Sequence, residues 1–137
     1  MTTATTARSS TLSRRWDRFG RGLMALNSAA AFAVFINGCF LMADVSEDRL
    51  LVEGWRTFGY LVFSVMWAML AYRPRRVPAI WEVVIFHKVA VAVLALTILD
   101  TTEGMQSAIT DSIVAALTIF AYVACRGWES WKVINGE

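Results

Sequence analysis

The chain has 137 residues, 57% of them hydrophobic and 18% charged, with a formal net charge of +2. That length suits one domain, and the near balance of charge excludes a global nucleic-acid footprint. So much apolar surface on so short a chain excludes an ordinary water-soluble monomer, and the long apolar runs point to lipid as the solvent.

Residues 1–13 are rich in Thr, Ser and Ala and have little to bury, which predicts a disordered cytoplasmic tail. Arg14, Arg15, Arg18 and Arg21 follow, interleaved with Trp16 and Phe19. Cations among headgroups and rings at the boundary predict a short interfacial helix leading into the membrane. The first apolar run extends from about Gly22 to Ala43, interrupted by Asn27, Ser28 and Asn37. An Arg-rich start before such a run is also the layout of a secretory signal, and Ile36-Asn37-Gly38-Cys39 has the form of a lipoprotein cleavage box. The run is long for a signal core and continues past Cys39 through Phe40, Leu41 and Met42, so an uncleaved first span is adopted.

Asp44, Glu47, Asp48, Arg49 and Glu53 form an acidic loop. The second span runs from about Trp55 to Tyr72 and ends at Arg73-Pro74-Arg75-Arg76-Val77-Pro78, a basic turn whose prolines stop the helix. The third span, about Ala79 to Leu99, contains Glu82, His87 and Lys88. The turn Asp100 to Gly104 precedes the fourth span, about Ser107 to Cys125, with Asp111 near its start. A polar segment with Trp128, Trp131 and Lys132 follows, and 133–137 is a terminal tail.

Each run is long enough to cross ~30 Å of hydrocarbon as a helix, and lipid offers no other partner for backbone N–H and C=O groups. The predicted fold is therefore an all-α membrane protein, with four transmembrane helices in an up-down antiparallel bundle over residues 14–132. Arg and Lys concentrate in the N-terminal segment, the 73–76 turn and the C-terminal tail, while the other two loops are acidic. The positive-inside rule then predicts a multi-pass protein of the plasma (inner) membrane with both termini cytoplasmic. Cys39 and Cys125 fit no metal or redox motif and fall in opposite leaflets, too far apart for a disulfide within one chain.

Ionisable groups inside lipid are costly and ask for a reason. Counted along the third span, Lys88 lies about 13 Å deep and Glu82 about 5 Å. Lys88 is roughly 120° from Glu82 and about 100° from His87 around the helix, and no two of the three share a face, so their partners must come from elsewhere. Depth counting predicts a mid-membrane polar layer of Asn27, Ser64, His87, Lys88 and Thr118, with Glu82 below it near Arg75 or Arg76. Arg56 is expected to pair with Glu53, Asp100 or Asp111 as a structural clasp in the outer leaflet.

Bland readings stand beside these. Lys88 snorkels towards the cytoplasmic surface or sits in a buried ion pair, or else serves as a functional cation. His87 is a packing residue or a ligand, but a lone histidine excludes a bis-histidine haem within one chain. Glu82 also suits the positive end of its helix. Trp67, Phe63 and Tyr60 pack the bundle or line a pocket. No motif names a cofactor, and no catalytic or metal-ligating set is visible.

The basic, proline-containing turn from Arg73 to Pro78 and the fourth span opening on Asp111-Ser-Ile-Val-Ala-Ala-Leu resemble small bacterial DoxX-like membrane proteins. The resemblance covers most of the spanning region and rests on layout. It implies a four-helix bundle with an accessory or ligand-binding role, since some members of that group are linked to quinone-coupled oxidoreductases. It supplies no catalytic residue.

Three functions follow as expectations. The first is a membrane binding or accessory protein, holding a hydrophobic small molecule such as a quinone or lipid, or a partner subunit, near Lys88. The second is an oligomeric proton or ion conductor using Glu82, His87 and Lys88. The third is a quinone-linked oxidoreductase subunit. The expected partners are the bilayer, further copies of the chain or other membrane subunits.

Overall fold

The computed structural model describes the backbone of residues 3–136 and the side chains of residues 13–136. Among the described residues every regular element is helical. Four long helices, α1 (Thr3–Leu41), α2 (Glu47–Tyr72), α3 (Ile80–Leu96) and α4 (Thr102–Ala124), are followed by a 3-10 turn (Gly127–Trp131) and the short α5 (Lys132–Asn135).

The helices have other bounds than the predicted spans. From Thr3 onward the expected tail is helical, and no separate interfacial helix exists because α1 is continuous through Arg21. No Gly or Pro interrupts the chain before Gly20, and once the packed part has nucleated a helix, each further residue adds a hydrogen bond cheaply. Residues 1–2 of that tail lie outside the described region. Helix α2 begins eight residues before Trp55. Ser46 takes the extended N-cap backbone, and Glu47 and Asp48 fill the first turn, where the helix dipole favours acids. Helix α4 begins five residues before Ser107. Thr101 is its N-cap, and its Oγ1 accepts from the Gly104 N–H at 2.9 Å.

The helices alternate in direction. Arg21, near the basic end of α1, donates to the carbonyls of Ala71 and Tyr72 at the end of α2. At the other end Gly38 lies against Thr57, so closely that a Cβ on Gly38 would fall 3.2 Å from the Thr57 Cβ. Gly20 similarly lets α1 approach Cys125 of α4. Helix α1 packs on α2 and α4, and α3 packs on α4, while α2 and α3 touch little. The molecule is thus two helical hairpins joined mainly through α1 and α4.

The joint is dry at one end. Met24, Leu70, Trp81, Val84, Ala121 and Cys125 form a core, all lying towards the basic turn. The Trp81 Nε1–H is bonded to the Pro74 carbonyl at 2.8 Å, which fixes that turn on α3. The left-handed Ala79 (φ 67°) lets the chain enter α3 directly after Pro78. Arg75 then ties three segments, donating to Asp17 at 2.6 Å and to the Cys125 carbonyl at 2.8 Å. The three basic segments therefore meet at one end of the bundle. The acidic connections meet at the other, where Arg56 reaches Glu103 at 3.2 Å and Glu53 at 3.6 Å.

The outside of the bundle is apolar. Phe40, Leu51, Trp55 and Phe86 are 72%, 72%, 78% and 75% exposed, which water penalises by about 25 cal/mol per Å² of apolar surface. Ser13–Leu41 within α1 and Thr102–Ala124 are each long and apolar enough to cross a membrane. Helices α2 and α3 fall short of that measure for opposite reasons. Arg56 and several interface-type rings dilute α2, whereas α3 is strongly apolar but has 17 residues, about 26 Å of rise.

Candidate functional site

Between the two hairpins, in the half of the bundle nearer the acidic end, lies a cavity of about 420 Å³. Helix α1 contributes Asn27, Ala30, Ala31 and Val34; α2 contributes Arg56, Tyr60, Phe63 and Trp67; α3 contributes Lys88; α4 contributes Glu103, Gln106, Ser107, Thr110, Asp111 and Val114. The mouth is polar, since Arg56, Glu103 and Gln106 are exposed there. Towards the basic end the packed core closes it.

The floor is an ion pair. Lys88 Nζ donates to Asp111 Oδ1 at 2.8 Å, with the two side chains 11% and 13% exposed. Lys88 sits eight residues into α3 and Asp111 nine residues into α4, so each lies about 12–14 Å from its helix start. The ammonium also lies 4.3 Å from the centre of the Phe63 ring and 5.7 Å from that of Trp67, within reach of a cation–π attraction. One carboxylate and two rings thus hold the charge inside an otherwise apolar bundle. Snorkelling does not describe it: Lys88 is buried and paired.

Two donors beside this pair have no protein acceptor. Asn27 Nδ2 and Trp67 Nε1 are buried and unbonded, in residues only 7% and 4% exposed. An unpaired buried donor costs about 1–3 kcal/mol. Both residues line the cavity with other atoms, and the two donor atoms themselves are sealed from it.

The predicted polar layer is only partly assembled. Asn27 and Lys88 share the cavity. Ser64 instead seals the α1–α2 seam, where Ser28 Oγ donates to the Ser64 carbonyl at 2.8 Å and Ser64 Oγ to the Ser28 carbonyl at 2.9 Å. Thr118 is fully buried but spends its hydroxyl on the Val114 carbonyl of its own helix at 2.8 Å. His87 is exposed and lies with its ring 4.6 Å from that of Phe63. The 100° step from His87 to Lys88 turns one residue inward and the other outward.

Two predicted pairings are replaced. Of its expected partners Arg56 meets Glu53 but not Asp111; it also pairs with Glu103, and Asp111 pairs with Lys88. The cause is the helix start: α4 begins at Thr102 rather than Ser107, so Asp111 lies more than two turns in. The Thr-Thr-Glu sequence at 101–103 is the cap signal that reveals it. Glu82 does not meet Arg75 or Arg76. Its Oε1 accepts from Trp131 Nε1 at 2.9 Å and from the Tyr122 hydroxyl at 3.2 Å, while Oε2 is buried without a partner. Gly127 makes this possible, because it packs on Tyr122 and Trp81 where any side chain would collide. The chain after α4, read from the sequence as a polar tail, thereby folds back across the start of α3.

Cys39 and Cys125 are free thiols, exposed and buried respectively. Among the described residues no group of three or more His, Cys, Asp or Glu side chains is placed to hold a metal ion. No family model, curated protein or solved structure matches the chain.

Proposed function

We propose that this chain is a four-span protein of the plasma (inner) membrane, with both termini cytoplasmic, that binds a small, largely apolar molecule in a cavity open towards the outer side. The observation that carries this reading is the Lys88–Asp111 pair at the floor of a cavity walled by Tyr60, Phe63 and Trp67. The apolar exterior supports hydrocarbon as the surrounding medium. Arg and Lys gather at the basic end and carboxylates at the other, which supports the orientation. The shortness of α3 is met by bilayer thinning or by the turns at its ends. The DoxX-like layout belongs to the same proposal and agrees with an accessory or binding role.

Binding fits the geometry better than conduction. A relay through Glu82, His87 and Lys88 needs convergent groups, but these three face the folded-back C-terminal segment, the exterior and the cavity respectively. The core between the cavity and the basic end further favours a single-ended site.

The test is melting of the purified chain in lipid nanodiscs against a panel of neutral, anionic, cationic and purely apolar small molecules, including a short-chain quinone and a monoacylglycerol. At least one class stabilises the wild type, and Ala30→Phe, which fills the cavity from an exposed lining position, removes the effect. Stabilisation by no class, or stabilisation that survives Ala30→Phe, refutes the reading. Reporter fusions at the two ends report from one compartment; opposite compartments refute the topology.

A further inference from the structure

At the floor of the cavity two unpaired oxygens stand open. Asp111 spends Oδ1 on the Lys88 ammonium at 2.8 Å, while its Oδ2 is neither sealed nor bonded to a donor among the described residues. Asn27 is arranged in the same sense: its Nδ2 is sealed, and its carbonyl oxygen is neither sealed nor bonded among those residues. Lys88 does not balance these oxygens, because its ammonium otherwise lies against Phe63 and Trp67, 4.3 and 5.7 Å from the ring centres. The mouth is polar, so water donates to both oxygens while the cavity is free. A ligand that displaces this water has to donate in its place, or it strands a carboxylate oxygen away from solvent.

The charge balance narrows the ligand again. An anion would face the free oxygen of Asp111. A cation would be brought beside an ammonium that already holds that carboxylate at 2.8 Å. A neutral donor avoids both. Among neutral donors an amide brings a carbonyl of its own, and the neighbouring donors that could answer it, Asn27 Nδ2 and Trp67 Nε1, are sealed. A hydroxyl carries no such burden. The walls add a size condition, since Tyr60, Phe63 and Trp67 offer rings and Ala31 and Val34 offer aliphatic surface, which suit a flat or short apolar body.

We infer that the cavity selects a neutral hydroxyl compound, an O–H on a compact apolar body, which donates to Asp111 Oδ2 while Lys88 keeps Asp111 Oδ1. This rests on the binding reading above and adds the chemical class. It also names what discriminates: the carboxylate of the ion pair is the group that tells a hydroxyl from an ether of the same size. A residue that only supports the fold changes the affinity for both together.

The probes are benzyl alcohol and anisole, isomers of which only the first has an O–H, together with benzylammonium and benzoate. The readout is equilibrium binding in nanodiscs, with uptake by empty nanodiscs subtracted. The wild type binds benzyl alcohol at least about tenfold more tightly than anisole or either ion. Lys88→Met/Asp111→Leu removes both charges together and leaves neither stranded; it binds the two isomers alike, with anisole no weaker than in the wild type. Lys88→Met/Asp111→Asn keeps an acceptor oxygen at position 111 and retains more of the preference than the leucine variant. Equal or tighter binding of anisole or of either ion to the wild type overturns the class and leaves the binding reading standing. A preference undiminished in Lys88→Met/Asp111→Leu, or equal in the two double variants, also overturns it, because Asp111 is then not the acceptor. Should the double variants fail to fold, the comparison of the isomers on the wild type decides the class by itself. If none of these probes binds while other members of the wider panel do, the hydroxyl class fails alone. If nothing in that panel binds, the binding reading fails with it.

Discussion

Replacing Lys88 by Met removes one half of the ion pair and leaves Asp111 facing a cavity floor, with its side chain 13% exposed. At 2.8 Å the lost Coulomb attraction is about 6 kcal/mol for an effective dielectric of about 20. Desolvation of both ions opposes most of it, so the pair's net worth is far smaller than its attraction. The penalty for breaking one partner is a different quantity. It is the cost of an uncompensated buried charge, about 3–5 kcal/mol, and the low exposure of both side chains leaves little solvent screening to discount. Asp111→Leu exposes the opposite fault, a buried ammonium held only by the Phe63 and Trp67 rings, which recover about 1–2 kcal/mol. Removing both charges together abolishes both faults. The double variant Lys88→Met/Asp111→Leu therefore lies within about 1–2 kcal/mol of the wild type, on either side of it. The assay is reversible unfolding in mixed micelles, followed by helical circular dichroism, for the four members of the cycle. The expected coupling is at least about 2 kcal/mol. Additive losses, or single variants each costing less than about 1 kcal/mol by the same cycle, refute the buried pair.

Other positions give independent checks by the same unfolding measurement. Gly38→Ala places a Cβ 3.2 Å from that of buried Thr57 and is expected to destabilise by about 1–3 kcal/mol through the α1–α2 crossing; a neutral outcome removes that close approach. Arg75→Gln unties Asp17 and the Cys125 carbonyl, for a loss of about 1–2 kcal/mol once partial exposure is discounted. Ala79→Gly relieves a left-handed backbone and is expected to stabilise by up to about 1 kcal/mol. Finally, a hydrogen bond from Arg49 at 2.9 Å holds the Glu53 carboxyl below its usual 4.5. A depressed folded value means stabilisation present above the unfolded value and lost as pH falls through the folded one. Stability should thus decline on acidification below about pH 4.5, less steeply in Arg49→Gln; an unchanged slope refutes the contribution.

Much of the architecture was legible because it depends on local quantities. The lengths of the apolar runs, the proline-bearing turn at 73–78 and the segregation of charge between connections each survive in the folded molecule as helices, a helix break and two chemically distinct ends. Helix starts were less legible. The caps at Ser46 and Thr101 read as parts of loops until the acids after them are recognised as first-turn residues. That single displacement moved Asp111 from the rim to the floor of the cavity.

Composition and periodicity determined by themselves that the chain is helical and apolar on the outside, since backbone satisfaction and hydrophobic run length are properties of contiguous residues. Pairing was decided only by the tertiary structure. Which carboxylate answers Lys88, which way His87 turns and whether Glu82 meets an arginine or Trp131 all depend on helix rotation and register between segments far apart in sequence. A rotation of one residue, about 100°, changes the neighbour completely. The two unanswered donors of Asn27 and Trp67 are of the same kind: an amide and an indole reveal an unfilled bond only when everything packed around them is known.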